Sequence, residues 1–457
     1  MLSISANLYD MRIGLYFKQA WYNLRVNKVY SAVFIVGTAV SVALVMAFLT
    51  VLSSRVVNTV PETHRDRMLE INNLLQEGDG GTLGLGVSPE FGKKFLDSLP
   101  GVECWTTVIP KWMSGPLTFR DAQNKSCRAY ASFVDRNFWK IFDFQFLAGR
   151  PLSESGMHGK AVDLVVSEAI ARRLTGKVDA VGKEVFWNGR QFRICGVVRD
   201  VPMSAASAFA EAWIPIDEYD NNESQIFMMA SPKGVSFVGF GNVVILADDK
   251  SSFRKIRAEI EDRLEIFNNA EDSGFDLSLP QGIPSYVEDV FTQYDVWGNK
   301  RPASSFVWVG AAVLLLILLV PLFNLSGMVC SRMESRLTEF GTRKAFGAKG
   351  GSIMSQITWE NLLLTLIGGV LGLALSWILI EVFARQLSLM IPNGGLVEVT
   401  AYYGTPDAGY FDFRDFYNIY LGIALLFIIV VLNLLSALIP ARRVIRHPIT
   451  ESLNYKK

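Results

Sequence analysis

The stretch Ser335–Gly369, SRLTEFGTRKAFGAKGGSIMSQITWENLLLTLIGG, decides how the rest of the chain is read. It opens basic and polar, becomes amphipathic, and runs without a break into an apolar segment. Arg336, Arg343, Lys344 and Lys349 all precede that segment, and Asn361 to Ile380 carries no charge. A basic loop feeding a segment of membrane-crossing length reads as a cytoplasmic lever joined to a transmembrane helix. It also reads as an ordinary positive-inside loop, and the remaining sequence has to separate the two.

Of the 457 residues, 44 are Lys or Arg and 44 are Asp or Glu, while 50% are hydrophobic. A net charge of zero excludes the basic footprint of a nucleic-acid binder. The histidines (His64, His158, His447) lie far apart, and Cys104, Cys127, Cys195 and Cys330 show no metal-ligand spacing. Cys104 and Cys127 could pair in an oxidising compartment, although sequence separation does not bring them together. Cys195 sits in the strand-like FRICGVV, where a buried thiol is expected. Gly86–Lys94 and Gly176–Glu184 come near a phosphate-binding loop, but each has one residue too many between its glycines and no hydroxyl after the lysine. No catalytic, metal or cofactor residue is therefore assigned, and any work the chain does needs energy from a partner.

Four uncharged runs predict transmembrane helices over residues 30–54, 302–331, 361–380 and 416–441. Each can cross about 30 Å of hydrocarbon, and a mid-span charge would cost about 2.5–3.5 kcal/mol. Lys and Arg set the orientation. Residues 1–29, with Phe17, Trp21 and Leu24 at helical spacing, form a basic amphipathic segment; residues 332–360 and the tail 442–457 are basic as well. Residues 381–415 are acidic and rich in Tyr and Phe. Both termini and the 332–360 loop are thus expected in the cytoplasm, and residues 55–301 and 381–415 outside. The fold class is an α-helical membrane protein with four transmembrane helices and a large α+β extracytoplasmic domain inserted between helices 1 and 2.

Within the insert, Val162–Gly176 predicts a strand and then a helix capped near Ser167 and stopped by Gly176. Lys183–Val198 predicts a hairpin turning at Asn188-Gly189. Asn242–Asp248 predicts a strand, and Ser251–Phe267 a helix with Ile256, Ile260 and Leu264 on one face. Leu83–Ser88 and Ser224–Val238 read as loops or weak strands. Ser54–Leu75 and Pro284–Trp297 are expected to extend the flanking spans as a stalk. Gly368, Gly372 and Ser376 recur every fourth residue, a stripe that lets two helices approach closely. Pro321 is expected to bend the second span, and Asn324 and Asn433 to point into the bundle.

Glu339-Phe340-Gly341-Thr342-Arg343-Lys344-Ala345-Phe346-Gly347-Ala348 resembles the E-x-G-x-x-[RK]-A-x-G-A loop of MacB/FtsX-type ABC transporter permeases. Ile439-Pro440-Ala441-Arg442-Arg443 with His447–Leu453 resembles the C-terminal pattern of that family, with Thr450 as an extra residue. Ala20–Lys28 resembles its N-terminal entry. FVDRNFWKIFDFQFLAGR (Phe133–Arg150) and Ser167–Pro202 resemble its periplasmic core domain. There are two departures: no ATPase domain is fused within these residues, unlike MacB itself, and the 381–415 loop is longer than the family's usual link.

The resemblance implies a cytoplasmic coupling helix docked on a separate ABC ATPase, which would hold the ATP and Mg²⁺. It gives that contact to Glu339, Gly341, Arg343, Lys344 and Gly347. It implies a second permease chain, identical or not, and a place in the bacterial inner membrane with the large domain in the periplasm. The leading expectation is a permease that transmits ATPase-driven movement to its periplasmic domain and expels an antibiotic, peptide or lipoprotein, with or without a periplasmic adaptor. The alternatives are an FtsX-like regulator of a cell-wall hydrolase, and a membrane-anchored sensor without an ATPase.

Overall fold

The computed structural model describes residues 18, 21–22, 24–26, 28–78, 81–110, 116–153, 157–158, 161–202, 205, 207–219, 236–270, 274–291, 293–294, 300–301, 308, 312, 315–316, 341–343, 345–347, 350–389 and 417–446. The expected second span, with Pro321 and Asn324, lies outside them apart from single positions. So do Glu339, Lys344, most of Ser224–Val238, most of the 381–415 loop and the last residues of the tail. The chain divides into two bodies, one of Met1–Val51, Trp308–Phe383 and Phe413–Lys457, the other of Leu52–Val307 with Ala384–Asp412.

The uncharged run after Lys28 becomes a single helix, α1 (Lys28–Val56). In hydrocarbon an unpaired backbone amide costs several kcal/mol, so an apolar run of this length has few options besides a helix. Three helices are long and apolar enough to cross a membrane: Lys28–Ser54, Gly350–Phe383 and Ile419–Ser436, counted among the described residues. The last two belong to α7 (Gly350–Leu389) and α8 (Ile419–Arg446), numbered after five shorter helices given below. Helix α7 begins at Gly350 and so takes in residues 350–360, which the sequence reading gave to the loop.

The second body holds eighteen described strands. In chain order they are β1 (Met68–Ile71), β2 (Leu74–Gly78), β3 (Gly81–Val87), β4 (Val102–Pro110), β5 (Leu117–Asp121) and β6 (Ser126–Ala129). Then come β7 (Ala131–Val134), β8 (Phe146–Gly149), β9 (Met157–His158), β10 (Ala161–Ser167), β11 (Glu184–Trp187) and β12 (Arg190–Val198). Last are β13 (Ala212–Pro215), β14 (Val238–Gly239), β15 (Asn242–Ala247), β16 (Phe275–Ser278), β17 (Gln293–Tyr294) and β18 (Lys300–Arg301). Between them lie α2 (Pro89–Phe95), α3 (Phe138–Ile141), α4 (Glu168–Thr175), α5 (Phe253–Asn268) and α6 (Tyr286–Phe291).

The main sheet runs β1-β15-β4-β7-β13-β10-β12-β11-β5-β6, with β8 beside β12 and β9 beside β10. It is mixed: β10 pairs β12 and β13 pairs β7 in parallel, while the other neighbours are antiparallel. A smaller sheet runs β14-β3-β2-β16, so Leu83–Val87 belongs to a strand. Two cores lie against the main sheet. One gathers Phe133, Leu164, Val166, Ile170, Phe192 and Ile194; the other gathers Phe91, Phe95, Val243, Ile256, Ile260 and Phe275. Burying each of these large side chains is worth about 1.5–3 kcal/mol.

Local signals resolve as read. The Ser167 hydroxyl accepts the Ile170 amide at the start of α4, and Gly176, at φ 73°, ends it. Asn188 (φ 49°) and Gly189 (φ 74°) turn the chain from β11 into β12. Helix α5 buries Phe253, Ile256, Ile260 and Leu264 on one face.

One expectation fails, and one open question closes. The stalk is absent among the described residues: α1 stops at Val56, the chain turns through Pro61 into β1, and after Pro284 come the short α6 and then β17. Its cause is Arg65, whose Nη1 donates to the carbonyls of Ser54 and Val57, each at 2.8 Å. These are carbonyls that a longer helix would have used itself. Cys104 and Cys127 are free thiols, one on β4 and the other on β6 at the far end of the strand order. Cys195 is free as well; burial, and then the charge of Asp163, push its thiol up to about 12, which leaves it unreactive.

Gly149, the glycine of the Ala-Gly-Arg phrase, sits at φ 75°, and a Cβ on it would lie 2.1 Å from the Cys195 carbonyl oxygen. Gly189, at φ 74°, has nothing within 4 Å of an added Cβ. Gly189→Ala is therefore expected to destabilise by only about 1–2 kcal/mol, the left-handed backbone cost. Gly149→Ala adds an overlap with backbone and is expected to exceed that by about 1–3 kcal/mol. Thermal unfolding of the two full-length variants side by side checks the order.

Candidate coupling site

Helix α7 and the loop before it carry the residues that the sequence marked for coupling. Residues 341–343 and 345 are helical. The Phe346 amide donates to the Thr342 carbonyl at 3.1 Å, and Gly347 follows at φ 87° with open space around its Cβ position. That is a helix closed by a left-handed glycine. Gly341 is buried and Gly347 exposed. Arg343 turns inward: its Nη1 donates to Gln356 Oε1 at 2.7 Å. Gln356 Nε2 in turn donates to Glu360 Oε1 at 3.1 Å, and both residues are buried on the first turns of α7. Phe346 points outward and is 89% exposed. The sequence reading passed over it because Phe346 occupies a variable position of the loop motif, and composition does not reveal exposure.

The small-residue stripe faces α1. A Cβ on Gly368 would lie 2.8 Å from Thr38 Cβ and 3.1 Å from the Ile35 carbonyl oxygen. On Gly372 it would lie 2.6 Å from Val42 Cβ and 2.7 Å from the Ala39 carbonyl oxygen. Lipid tails are as apolar as leucine, so membrane helices associate by close packing rather than by a hydrophobic gradient. Ser376 donates to the Leu373 carbonyl at 2.7 Å and lies 3.1 Å from the Tyr417 hydroxyl. Asn433 Nδ2 on α8 donates to Thr365 Oγ1 on α7 at 3.0 Å, both buried. Val42, Val45 and Met46 of α1 pack on Leu425 and Ile429 of α8.

In the second body, polar groups converge where α1 ends. Arg65 Nε donates to Glu62 Oε2 at 2.8 Å, with both side chains fully buried. The Tyr286 hydroxyl donates to the same oxygen at 2.6 Å, and the amides of Ser207 and Ala208 donate to Glu62 Oε1 at 3.1 and 3.2 Å. The guanidinium lies 5.1 Å from the Tyr286 ring centroid. Beside this cluster, Glu70 of β1 accepts from the Ser207 hydroxyl and from Asn72. Burial, and then the charge of Asp289, push the Glu70 carboxyl up to about 8.

A cavity of about 480 Å³ opens at the carboxyl ends of β7 and β13, walled by Trp105, Asp135, Asp217, Tyr219 and Phe240. Asp135 is occupied by Thr106 and by the amides of Thr107 and Phe138, and burial raises its pKa. Among the described residues no group of three or more His, Cys, Asp or Glu is placed to hold a metal.

Residues 31–263 match the family described as the MacB-like periplasmic core domain, and residues 311–449 the family described as the FtsX-like permease C-terminal region. The chain belongs to the MacB/FtsX family of ABC-transporter-type permeases. The uncharacterized ABC transporter permease YknZ of Bacillus subtilis (strain 168) is 22% identical over 245 residues, 53% of this chain and 55% of that protein. The macrolide export ATP-binding/permease protein MacB of Escherichia coli (strain K12) is 24% identical over 288 residues, 62% of this chain and 40% of that protein. The matches thus span about half the length of these curated relatives or less. Among solved structures, the periplasmic region of MacB from Actinobacillus actinomycetemcomitans matches with a TM-score of 0.30 and 16% identity over 46% of this chain and 88% of that one. Permeases of this family are embedded in a membrane, carry a domain on its outer side, work with ABC ATPases and are generally not themselves catalytic.

Two outcomes follow from this geometry. Gly372→Ala forces α1 and α7 apart, because the new methyl meets backbone; a stability loss of about 1–3 kcal/mol is expected in thermal unfolding of nanodisc-embedded protein. Glu70 titrates near 4.3 in an unfolded chain, so folding raises its proton affinity. That stabilisation is complete below about pH 4 and is lost as pH rises through about 8. The full chain is expected to melt at lower temperature at pH 9 than at pH 6, and Glu70→Gln to flatten that difference.

Proposed function

We propose that this chain is the transmembrane subunit of an ABC transporter that carries nucleotide-driven movement from a cytoplasmic ATPase to the outer body, and there drives extrusion of an antibiotic, a peptide or a lipoprotein. ATP and Mg²⁺ belong on the ATPase, and a second permease chain completes the pair around it. The termini and the loop before α7 face the cytoplasm of a bacterial inner membrane, and the outer body faces the periplasm, where it can meet substrate or an adaptor.

One observation carries the reading. Helix α1 continues into the outer body at Leu52, and its last carbonyls are gripped by Arg65, which Glu62, Tyr286, Ser207 and Ala208 hold in turn. A helix ending in a buried ionic joint passes displacement on, whereas a flexible linker would absorb it. Macrolide export, for which the E. coli relative is named, supports extrusion as the use of that displacement.

At the cytoplasmic end, Phe346 is the docking anchor. It is a rigid aromatic side chain, presented on a closed helical turn and almost fully exposed, the kind of group that dominates contact energies when a partner supplies a pocket. Phe346→Ala is expected to lower stimulation of the co-purifying ATPase at least about tenfold while leaving the melting temperature of the permease unchanged. Full stimulation by the variant would remove Phe346 from the contact. Stable isolation of the native complex without any nucleotide-binding subunit would overturn the ABC reading itself.

A further inference from the structure

The loop motif of the family has its basic position at Lys344, and Arg343 falls on a variable position. The structure gives Arg343 an intramolecular partner. Its guanidinium donates to Gln356 Oε1 at 2.7 Å, and Gln356 Nε2 donates to Glu360 Oε1 at 3.1 Å. Gln356 is 3% exposed and Glu360 5%, on the same face of α7 as buried Ile353, Ile357 and Asn361. A carboxylate among such neighbours, at the head of an apolar helix, is expensive unless it is compensated. The amide between the two charges lies in the favourable sense, its carbonyl toward the cation and its N–H toward the anion, so each bond polarises the next. A primary amide suits this place because it offers an acceptor at one end and a donor at the other.

We propose that Arg343 is a positioning residue rather than a docking residue: with Gln356 and Glu360 it forms a buried latch that holds the coupling loop on α7. The coupling role of that loop rests on the function proposed above, but the latch itself is a property of the isolated chain. The helical residues 341–343 and 345 then move with the first turns of α7 as one piece. The exposed Phe346 meets the partner, and Arg343 fixes where Phe346 stands. Reversing Arg343 would break coupling even though Arg343 never touches the ATPase.

The test uses the full chain in nanodiscs with no ATPase present, read by amide hydrogen exchange over residues 341–347. Arg343→Ala and Gln356→Leu are each expected to speed exchange there about tenfold or more, the loss of a hydrogen bond to a charged group. Exchange in β10 and β12 of the outer body is expected to stay unchanged, which separates a local latch from general destabilisation. Arg343→Lys keeps a cationic donor and is expected to return exchange to within about threefold of the parent. The Arg343→Ala/Gln356→Leu double variant is expected to exchange no faster than the single variants, because both remove the same link. Unchanged exchange in Arg343→Ala, or additive effects in the double variant, would overturn the latch. Since no ATPase is in the sample, either result leaves the docking proposal to its own experiment.

Discussion

The buried ion pair of Arg65 and Glu62 is the interaction on which the layout of the outer body depends. Two unit charges taken out of water incur several kcal/mol each, and the attraction between them offsets this only when every remaining lone pair and proton finds a partner. Here the accounting is close to complete. Glu62 accepts from Arg65 and Tyr286 on one oxygen and from two backbone amides on the other. Arg65 Nη1 donates to two carbonyls at the end of α1. The pair thus ties together four parts of the chain: the end of α1, the turn into β1, the 207–208 turn and α6. None of these contacts is apolar packing that could slide by a methylene and re-form. Removing either partner would leave a charge alone in the interior, and for that reason the joint is either made or broken, with little between.

The same bonds explain which parts of this fold the sequence could show. Elements with local causes were legible. Ser167 and Gly176 cap α4 from within a few residues, Asn188-Gly189 turns its own hairpin, and the spacing of Ile256, Ile260 and Leu264 identifies the buried face of α5. The stalk was misread because its refutation is not local. Nothing near Ser54 states that the helix must stop at Val56; the guanidinium that stops it stands eleven and eight positions downstream of the two carbonyls it binds. The tyrosine that completes the cluster lies 224 positions from Glu62. An apolar or amphipathic pattern records what a segment prefers, whereas a buried guanidinium that intercepts helix carbonyls is a decision made elsewhere in the chain. Whether the two cysteines meet was left open by the sequence for the same reason, since strand order in a mixed sheet is set by long-range pairing.

The coupling loop was legible as a place more than as a mechanism. Its motif marked a turn of chain for coupling, and the glycine at 347 ends a helix as its type suggests. The division of labour inside it was hidden. Arg343 and Lys344 look alike in a string of letters, yet Arg343 bonds inward to Gln356. Glu360 reads as one more loop charge until the helix is seen to begin at Gly350, which places it on the buried face. Phe346 reads as an apolar residue that belongs in a core, and it is the exposed one.

Both ends of the described machinery therefore use one physical device. At the end of α1 a guanidinium is held by a carboxylate and grips helix carbonyls; at the start of α7 a guanidinium reaches a carboxylate through an amide. Apolar contacts such as Val42 and Met46 on Leu425 and Ile429 are non-directional, and they let helices rotate or slide at small energy. Hydrogen-bonded ionic contacts are directional and lose most of their value within about an ångström. A protein built to convey movement gains from placing the second kind where segments must turn together and the first kind where they must glide. The glycine stripe on α7 fits the same logic, because it brings α7 against α1 through backbone and small groups. Directional bonds thus stand at the end of α1 and at the start of α7, and Asn433 adds one from α8 to Thr365 of α7.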